Sequence, residues 1–166
     1  MSIPDTDRER ARQAEVDRLE LQSFTDMALQ DIARLAAGIF ETPIALVSII
    51  DQDRQWFKTR IGLDVDETPR EWAFCAHAIE KPDQLLVVED AALDPRFADN
   101  PLVTAAPSIR FYAGAPLVTG SGHAIGTVCV IDHKPKTPDP EALEQLRFLA
   151  QQVMVRLEQR RGKPLA

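Results

Sequence analysis

The sequence predicts an α+β domain built on an antiparallel β-sheet that is covered on both faces. One observation is a β-hairpin: two apolar, β-prone runs within residues 109–132 flank a Thr-Gly-Ser-Gly link at residues 119–122, where glycine permits a tight reversal. A second is the run 44–50, a strand whose two faces are both apolar. A third is an apolar pattern of helical spacing towards each end of the chain.

The two doubly apolar strands are expected in the middle of the sheet, since neither of their faces can remain in water. Strict alternation divides residues 44–50 into two faces, with Ala45, Val47 and Ile49 on one side and Ile44, Leu46 and Ile50 on the other. It divides the second hairpin strand in the same way, with Ile125, Cys129 and Ile131 on one side and Val128 and Val130 on the other.

Helices are predicted at both ends of the chain. A capping-box pattern at residues 6–9 begins a charged helix that extends to residue 22, and a second helix runs from about residue 23 until Pro43 prevents its continuation. A long helix at residues 141–160 has a heptad seam, formed by Leu143, Leu146, Ala150, Val153 and Leu157. We therefore divide the chain into an N-terminal charged helix (1–22), a domain (23–160) and a short tail (161–166).

The middle of the chain predicts smaller elements. Residues 55–60 are expected to form a hairpin with the strand 44–50, and residues 61–70 to form a loop. A short helix at 71–80 and a strand at 85–88 follow. Residues 89–107 contain three prolines but remain apolar at Leu93 and Phe97, which predicts a folded excursion with one or two helical turns over one face of the sheet.

Composition excludes several classes of function. The chain has 166 residues and a formal net charge of −7, with its basic residues scattered among acids, so a nucleic-acid partner is not expected. No apolar run has the length of a membrane span or a signal peptide, and we expect no membrane partner and a cytoplasmic location. Cys75 and Cys129 lie far apart in sequence, so neither a disulfide framework nor a metal site is predicted.

The order of several motifs resembles the GAF domain family over about residues 24–160. The motifs include Phe-Cys-Ala-His-Ala-Ile at 74–79, and the others lie at 43–51, 55–58, 67–70, 94–97, 100–103, 110–117 and 126–132. They are similar to the bacterial subgroup found as input domains beside histidine kinases and diguanylate cyclases. The resemblance implies a five- or six-stranded antiparallel sheet with the first and last helices together on one face. It also implies a ligand pocket on the other face, walled by residues 72–79 and 89–103.

The resemblance implies a sensory domain that binds a small molecule and signals through its terminal helices, but it leaves the cofactor or ligand unknown. Candidate ligand-binding residues are Trp72, Phe74, Cys75, His77, Asp90, Asp94, Phe97, Asn100, Tyr112 and Cys129. For several of them a structural role is the alternative: Cys75 and Phe97 as core, and the aspartates as caps of short helical turns. The implied partners are a second copy of the chain and a histidine kinase of a two-component system, or a diguanylate cyclase, as output.

More specific ligands are disfavoured by the residues present. Ala76 separates Cys75 from His77, whereas bilin-binding GAF domains attach the chromophore at a cysteine followed directly by histidine. Residues 99–102 lack the lysine and acidic partners of the Asn-Lys-x-Asp-Glu-type motif of GAF domains that bind cyclic nucleotides.

Two other functions remain open. One is a ligand-free dimerisation or docking module. The other is an enzyme similar to the GAF lineage that reduces free methionine sulfoxide, which needs a nucleophilic and a resolving cysteine. Because neither Cys75 nor Cys129 has that lineage's catalytic surroundings, we expect no catalytic residue and no enzymatic activity.

Overall fold

The computed structural model describes residues 6–160. Its α-helices are α1 (Asp7–Leu19), α2 (Met27–Phe40), α3 (Phe74–Ala78), α4 (Pro101–Thr104) and α5 (Pro140–Arg160). Its strands are β1 (Ile44–Asp51), β2 (Arg54–Ile61), β3 (Glu67–Pro69), β4 (Leu86–Val88), β5 (Phe111–Val118) and β6 (Ala124–Asp132). The predicted tail at 161–166 and the first residues of the predicted N-terminal helix, 1–5, lie outside the described part.

The strands form one antiparallel sheet in the order β3-β2-β1-β6-β5-β4, which confirms the predicted fold class and the central place of β1 and β6. A glycine allows the two central strands to approach. A Cβ atom at Gly126 would collide with the backbone carbonyl of Ser48 on β1. A larger residue at position 126 would therefore push β1 and β6 apart.

Helices α1, α2 and α5 cover one face of the sheet. Leu29 and Ala36 of α2 and Leu146 and Val153 of α5 pack in a core with the β1 face that contains Val47, in agreement with the predicted alternation. Val16 and Leu19 of α1 join the same core. The predicted boundary between residues 22 and 23 stays a prediction, but α1 contributes to the hydrophobic core of the domain that follows it.

One predicted face assignment is wrong. Ile125 packs in the helix-side core with Val128, whereas Cys129 and Ile131 lie on the opposite face. The cause is a β-bulge: Val118 pairs with Ala124 and Leu117 with Gly126, which leaves Ile125 as the extra residue. The bulge resets the alternation, so the parity rule holds only from residue 126 onwards.

The middle segments differ from the prediction in detail. The segment predicted as loop contains β3, which pairs with β2 at the edge of the sheet. The predicted helix at 71–80 is divided into a 3-10 turn at Arg70–Trp72 and the short α3. The excursion at 89–107 is folded as expected, with a 3-10 turn at Ala91–Leu93 and the helix α4. Its Phe97 and Val103 pack on the sheet face opposite the terminal helices.

No helix within residues 6–160 combines the length and the apolar character that a membrane-spanning helix needs.

Candidate ligand cavity

A cavity of about 410 Å³ lies on the sheet face opposite the terminal helices. Its floor is formed by Ile44 and Leu46 of β1, Cys129 and Ile131 of β6, and Tyr112 of β5. Apolar side chains also dominate its walls, which include Phe57, Leu63, Val65, Trp72, Phe74, Leu102 and Ile109. A concave, mostly apolar site with a few polar groups is typical of small-molecule binding sites.

Strands β1 and β6 carry apolar side chains on both faces, and the cavity lies over one of these faces. The helices cover one of these faces, and the segments 62–74 and 101–109 arch over the other without filling it. Asn100 ties the two arching segments together, since its Oδ1 accepts the N–H of Leu102 (2.9 Å) and its Nδ2 donates to the carbonyl of Trp72 (3.0 Å). The Asn100 side chain therefore links the segment that contains Trp72 to the start of α4.

Aromatic rings form the inner end of the cavity. The ring of Phe74 stacks on Phe97, with centroids 4.1 Å apart, and meets Tyr112 at 5.2 Å. The Tyr112 hydroxyl lies 3.4 Å from the hydroxyl of Thr127, and burial raises the pKa of Tyr112 well above its ordinary value. The phenol therefore remains neutral, so Tyr112 adds no charge to the cavity lining.

The structure separates the predicted ligand-binding residues into two groups. Trp72, Phe74, Tyr112 and Cys129 line the cavity. Six lie outside its lining: Cys75, His77, Asp90, Asp94, Phe97 and Asn100. Contact with a ligand stays a prediction for the first group.

The second group makes structural contacts instead. Asp90 caps a 3-10 turn by accepting the N–H of Ala92 (3.1 Å), and Asp94 binds the guanidinium of Arg96 (2.7 Å). His77 meets Phe97 edge to face at 4.8 Å. The wall expected at 89–103 is thereby corrected: Phe97 stands behind Phe74, and Leu102 is the residue of that range that reaches the cavity.

The sequence prediction missed the wall formed by residues 63–69. Leu63, Asp64, Val65, Glu67 and Thr68 line the cavity, although the segment was predicted as an unspecified loop. A signal was present, because Leu63 and Val65 alternate with acidic residues directly after Gly62. In a segment otherwise read as loop, such alternation indicates a surface that is apolar on one side.

The two cysteines are free and fully buried. Burial raises the pKa of Cys75 to about 12 and that of Cys129 to about 11. The hydroxyl of Ser48 lies 3.8 Å from the Cys129 sulfur. Because the thiolate is the nucleophile, these environments oppose thiol chemistry.

Both thiols should therefore resist alkylation in the folded protein. At pH 8 we expect iodoacetamide to modify Cys75 and Cys129 at least about a hundred times more slowly than in the urea-unfolded chain, because their raised pKa values and burial suppress the thiolate. Mass spectrometry of timed samples measures both rates. Rapid modification of either thiol in the native protein would contradict this and restore the reductase hypothesis.

A second hollow, of about 420 Å³, adjoins α1 and contains an ion-pair cluster. Glu9 receives hydrogen bonds from Arg70 (2.9 and 3.1 Å) and from Arg12 (both 3.0 Å). Arg12 also donates to the carbonyl of Ile50 and Arg70 to that of Gln52, each at 2.9 Å. Burial raises the pKa of Glu9, but the hydrogen bonds from Arg70 and Arg12 outweigh it and lower the pKa to about 2.

Metal binding has no evident basis in the residues that the structure describes. Within 6–160, no three histidine, cysteine, aspartate or glutamate side chains gather closely enough to hold an ion.

The sheet order, the terminal helices on one face and the cavity on the other define a class of α+β domain, and comparison with known families identifies it. A model described as the GAF domain matches residues 25–157. The chain belongs to the GAF domain family.

Comparison with individual proteins adds one close relative. The chain is 48% identical over 151 residues to a Pseudomonas aeruginosa protein named cyclic di-GMP phosphodiesterase PA2567. The match covers 90% of this chain and 26% of the relative, so the chain spans about a quarter of that protein's length.

Solved structures share the fold at low sequence identity. The GAF domain of a phosphoenolpyruvate-protein phosphotransferase from Coxiella burnetii has a TM-score of 0.68 and 16% identity, with 93% of this chain and 92% of that chain covered. Free methionine-R-sulfoxide reductase from Neisseria meningitidis has a TM-score of 0.65 and 18% identity, with 95% and 94% covered. At these identities the likeness shows the fold alone.

Proposed function

We propose that this domain is a non-catalytic sensory module of a bacterial signalling protein, and that it binds a small molecule in the cavity between the sheet and residues 62–74 and 101–109. The observation that carries the proposal is the cavity itself. About 410 Å³ of space lies over the apolar floor, although the side chains on the other face of the same strands are buried under the terminal helices. Protein interiors are normally close-packed, so a cavity of this size indicates a binding site.

The signalling context is inferred from the relative named as a cyclic di-GMP phosphodiesterase. Identity of 48% over nine-tenths of this chain supports a shared role for the matching region. That region is a minor part of the relative, so we propose that it regulates the remainder of such a protein. A histidine kinase or diguanylate cyclase remains an alternative output partner. The two free thiols fit the reducing cytoplasm, where we place this activity.

A physical connection exists between the cavity and the N-terminal helix. Pro69 and Trp72 line the cavity, and the Arg70 side chain between them in sequence is bound by Glu9 of α1. A ligand that displaces this wall would therefore act directly on α1. In the proposed mechanism, the ligand prefers one arrangement of the wall and so shifts the packing of α1.

Native mass spectrometry of gently purified protein tests ligand binding. We expect a bound small mass that is released on denaturation, and a loss of that mass when Leu63, which lines the cavity, is replaced by tryptophan. A mass retained by the Leu63→Trp variant would place the ligand elsewhere and contradict the proposal.

A second candidate function, pairing with another copy of the chain, is favoured by an exposed apolar surface on the terminal helices. The predicted heptad seam is not available for it, since Leu146, Ala150, Val153 and Leu157 are buried in the domain's own core. Another face of α5 is free of that role: Phe148 and Val155 are 57% and 50% exposed, and Leu35 of α2 lies beside Phe148 at 54%. We name Leu35, Phe148 and Val155 the α2–α5 patch.

Replacing Phe148 with glutamate should convert a dimer into a monomer, because the charge would be buried in the paired α2–α5 patch without a partner. Analytical ultracentrifugation at about 50 μM, a concentration at which even weak pairing registers, measures the change. The matched control is Leu93→Glu, at a side chain that is 80% exposed on the excursion. A wild-type chain that sediments as a monomer would contradict pairing through this surface.

A further inference from the structure

We propose that the cavity selects an aromatic or aliphatic molecule that is neutral or cationic, and that it rejects ligands bearing phosphate or carboxylate. The inference rests on the proposed function, namely that the cavity is a ligand site, and adds the chemical class of the ligand. It is drawn from the distribution of charge and aromatic surface around the cavity.

The charged residues that line the cavity are both acidic. Asp64 and Glu67 stand on the arching segment, and among residues 6–160 no lysine, arginine or histidine belongs to the lining. The nearest arginine partner is Arg54, whose guanidinium reaches Glu67 at 3.6 Å without lining the cavity. Among the lining residues, an anion in the cavity would therefore meet like charge and no cation.

A phosphate would be costly in this environment. Transfer of an anion from water to an apolar site requires a cation or several hydrogen-bond donors as compensation, and phosphate sites are accordingly rich in arginine, lysine or free backbone N–H groups. The floor offers instead Ile44, Leu46 and Ile131, with a neutral phenol at Tyr112. Cyclic di-GMP, which carries two phosphates, does not fit this chemistry.

Two further arginines lie in the other hollow. Arg12 and Arg70 line the hollow next to α1, where both are bound to Glu9 and to backbone carbonyls. Their donors are occupied by Glu9 and by backbone carbonyls, and their removal from Glu9 would leave a largely buried carboxylate unpaired. They are therefore not available to compensate an anion in the cavity.

A cation or neutral molecule meets complementary groups. Phe57, Trp72, Phe74 and Tyr112 supply aromatic surface for a planar apolar body, and such faces attract cations as well. An ammonium group directed towards the segment 64–67 would approach both carboxylates. Since these carboxylates are exposed, their effect is moderate and depends on salt.

Three indoles of similar size and different charge test the proposal. We would titrate tryptamine (cation), tryptophol (neutral) and indole-3-acetate (anion) into the protein by isothermal calorimetry at pH 7 and low ionic strength. We expect tryptamine to bind at least about tenfold more tightly than indole-3-acetate, with tryptophol between them, because two carboxylates attract the one and repel the other. Added salt should reduce the difference.

Charge variants assign the preference to the cavity lining. The double variant Asp64→Asn, Glu67→Gln should bring tryptamine and indole-3-acetate to within about twofold of each other, since it removes both lining charges. The matched control is Asp66→Asn, which removes the same charge from the neighbouring residue outside the lining. It should keep most of the preference. Both sets of residues are exposed, so the fold should persist.

The outcomes separate this inference from the function on which it depends. If indole-3-acetate binds as tightly as tryptamine, or if cyclic di-GMP displaces tryptophol, the ligand class is wrong while the cavity remains a binding site. If none of the three indoles binds, or if Leu63→Trp leaves their binding unchanged, the cavity is not the site and the proposed function fails with it.

Discussion

Replacing Glu9 with glutamine should lower the free energy of unfolding by about 3 kcal/mol, because it leaves two buried guanidinium groups without their shared carboxylate. Arg12 and Arg70 are 4% and 7% exposed, so water can replace the lost partner only in part. Through them Glu9 joins α1 to the end of β1 and to the turn at Arg70–Trp72. Urea unfolding at pH 7 measures the loss.

The same variant should change the dependence of stability on pH. The folded pKa of Glu9, about 2, lies below the ordinary value of 4.5, so its contribution to stability is fully present above about pH 4.5 and is lost as the pH falls towards 2. The wild-type protein should therefore lose more stability than Glu9→Gln between pH 5 and pH 3. Equal slopes for the two proteins would contradict the role assigned to this carboxylate.

Glu144→Gln is the matched control for Glu9→Gln. Glu144 pairs with Arg147 on α5, but its side chain is 74% exposed. Exposed pairs of this kind contribute about 0.5 kcal/mol or less, so the control should unfold almost as the wild type does. A similar loss in both variants would show that burial of the Glu9 cluster has no special effect.

Replacing Leu63 with tryptophan should abolish the binding of tryptophol, a loss of about 2 kcal/mol or more in binding free energy. Leu63 is half-buried at the wall of the cavity, and the larger indole side chain has space to enter from that position. Because the added ring occupies space that is empty in the wild type, the fold should keep its stability. Calorimetry measures binding, and thermal unfolding measures the fold.

Leu93→Trp introduces the same side chain at a position that does not line the cavity. It should bind tryptophol with the affinity of the wild type. Equal weakening in both variants would indicate that the probe binds outside the cavity.

Local patterns in the sequence predicted which strands are central in the sheet, because the spacing of apolar residues reflects which faces of a strand are buried. A strand that is apolar on both sides has to lie between two layers, and this places β1 and β6 at the centre without knowledge of the contacts. The assignment failed at Ile125, where one extra residue shifts the alternation. A bulge depends on the register with the neighbouring strand, which local pattern does not contain.

Several predicted site residues lie outside the cavity lining, because their role too depends on contacts that the local sequence pattern does not contain. Asp90, Asp94 and Asn100 are polar residues in an apolar excursion, and in such a place capping and ligand contact produce the same sequence pattern. Asn100 illustrates the difference: its amide ties Trp72 to α4 and so shapes the cavity without lining it. Only the hydrogen-bond partners that are distant in sequence, such as Trp72, distinguish a structural role from ligand contact.

The sequence by itself determined the family, the central strands and the terminal helices, since each follows from short-range pattern or from motif order. Of its ten predicted ligand-binding residues, Trp72, Phe74, Tyr112 and Cys129 line the cavity. Only the tertiary structure decided which segments arch over the sheet. It brought residues 63–69 to the cavity, directed Arg12 and Arg70 towards Glu9, and left acidic side chains at the opening. Charge around a cavity is a sum over segments distant in sequence, so it exists only once they are folded together.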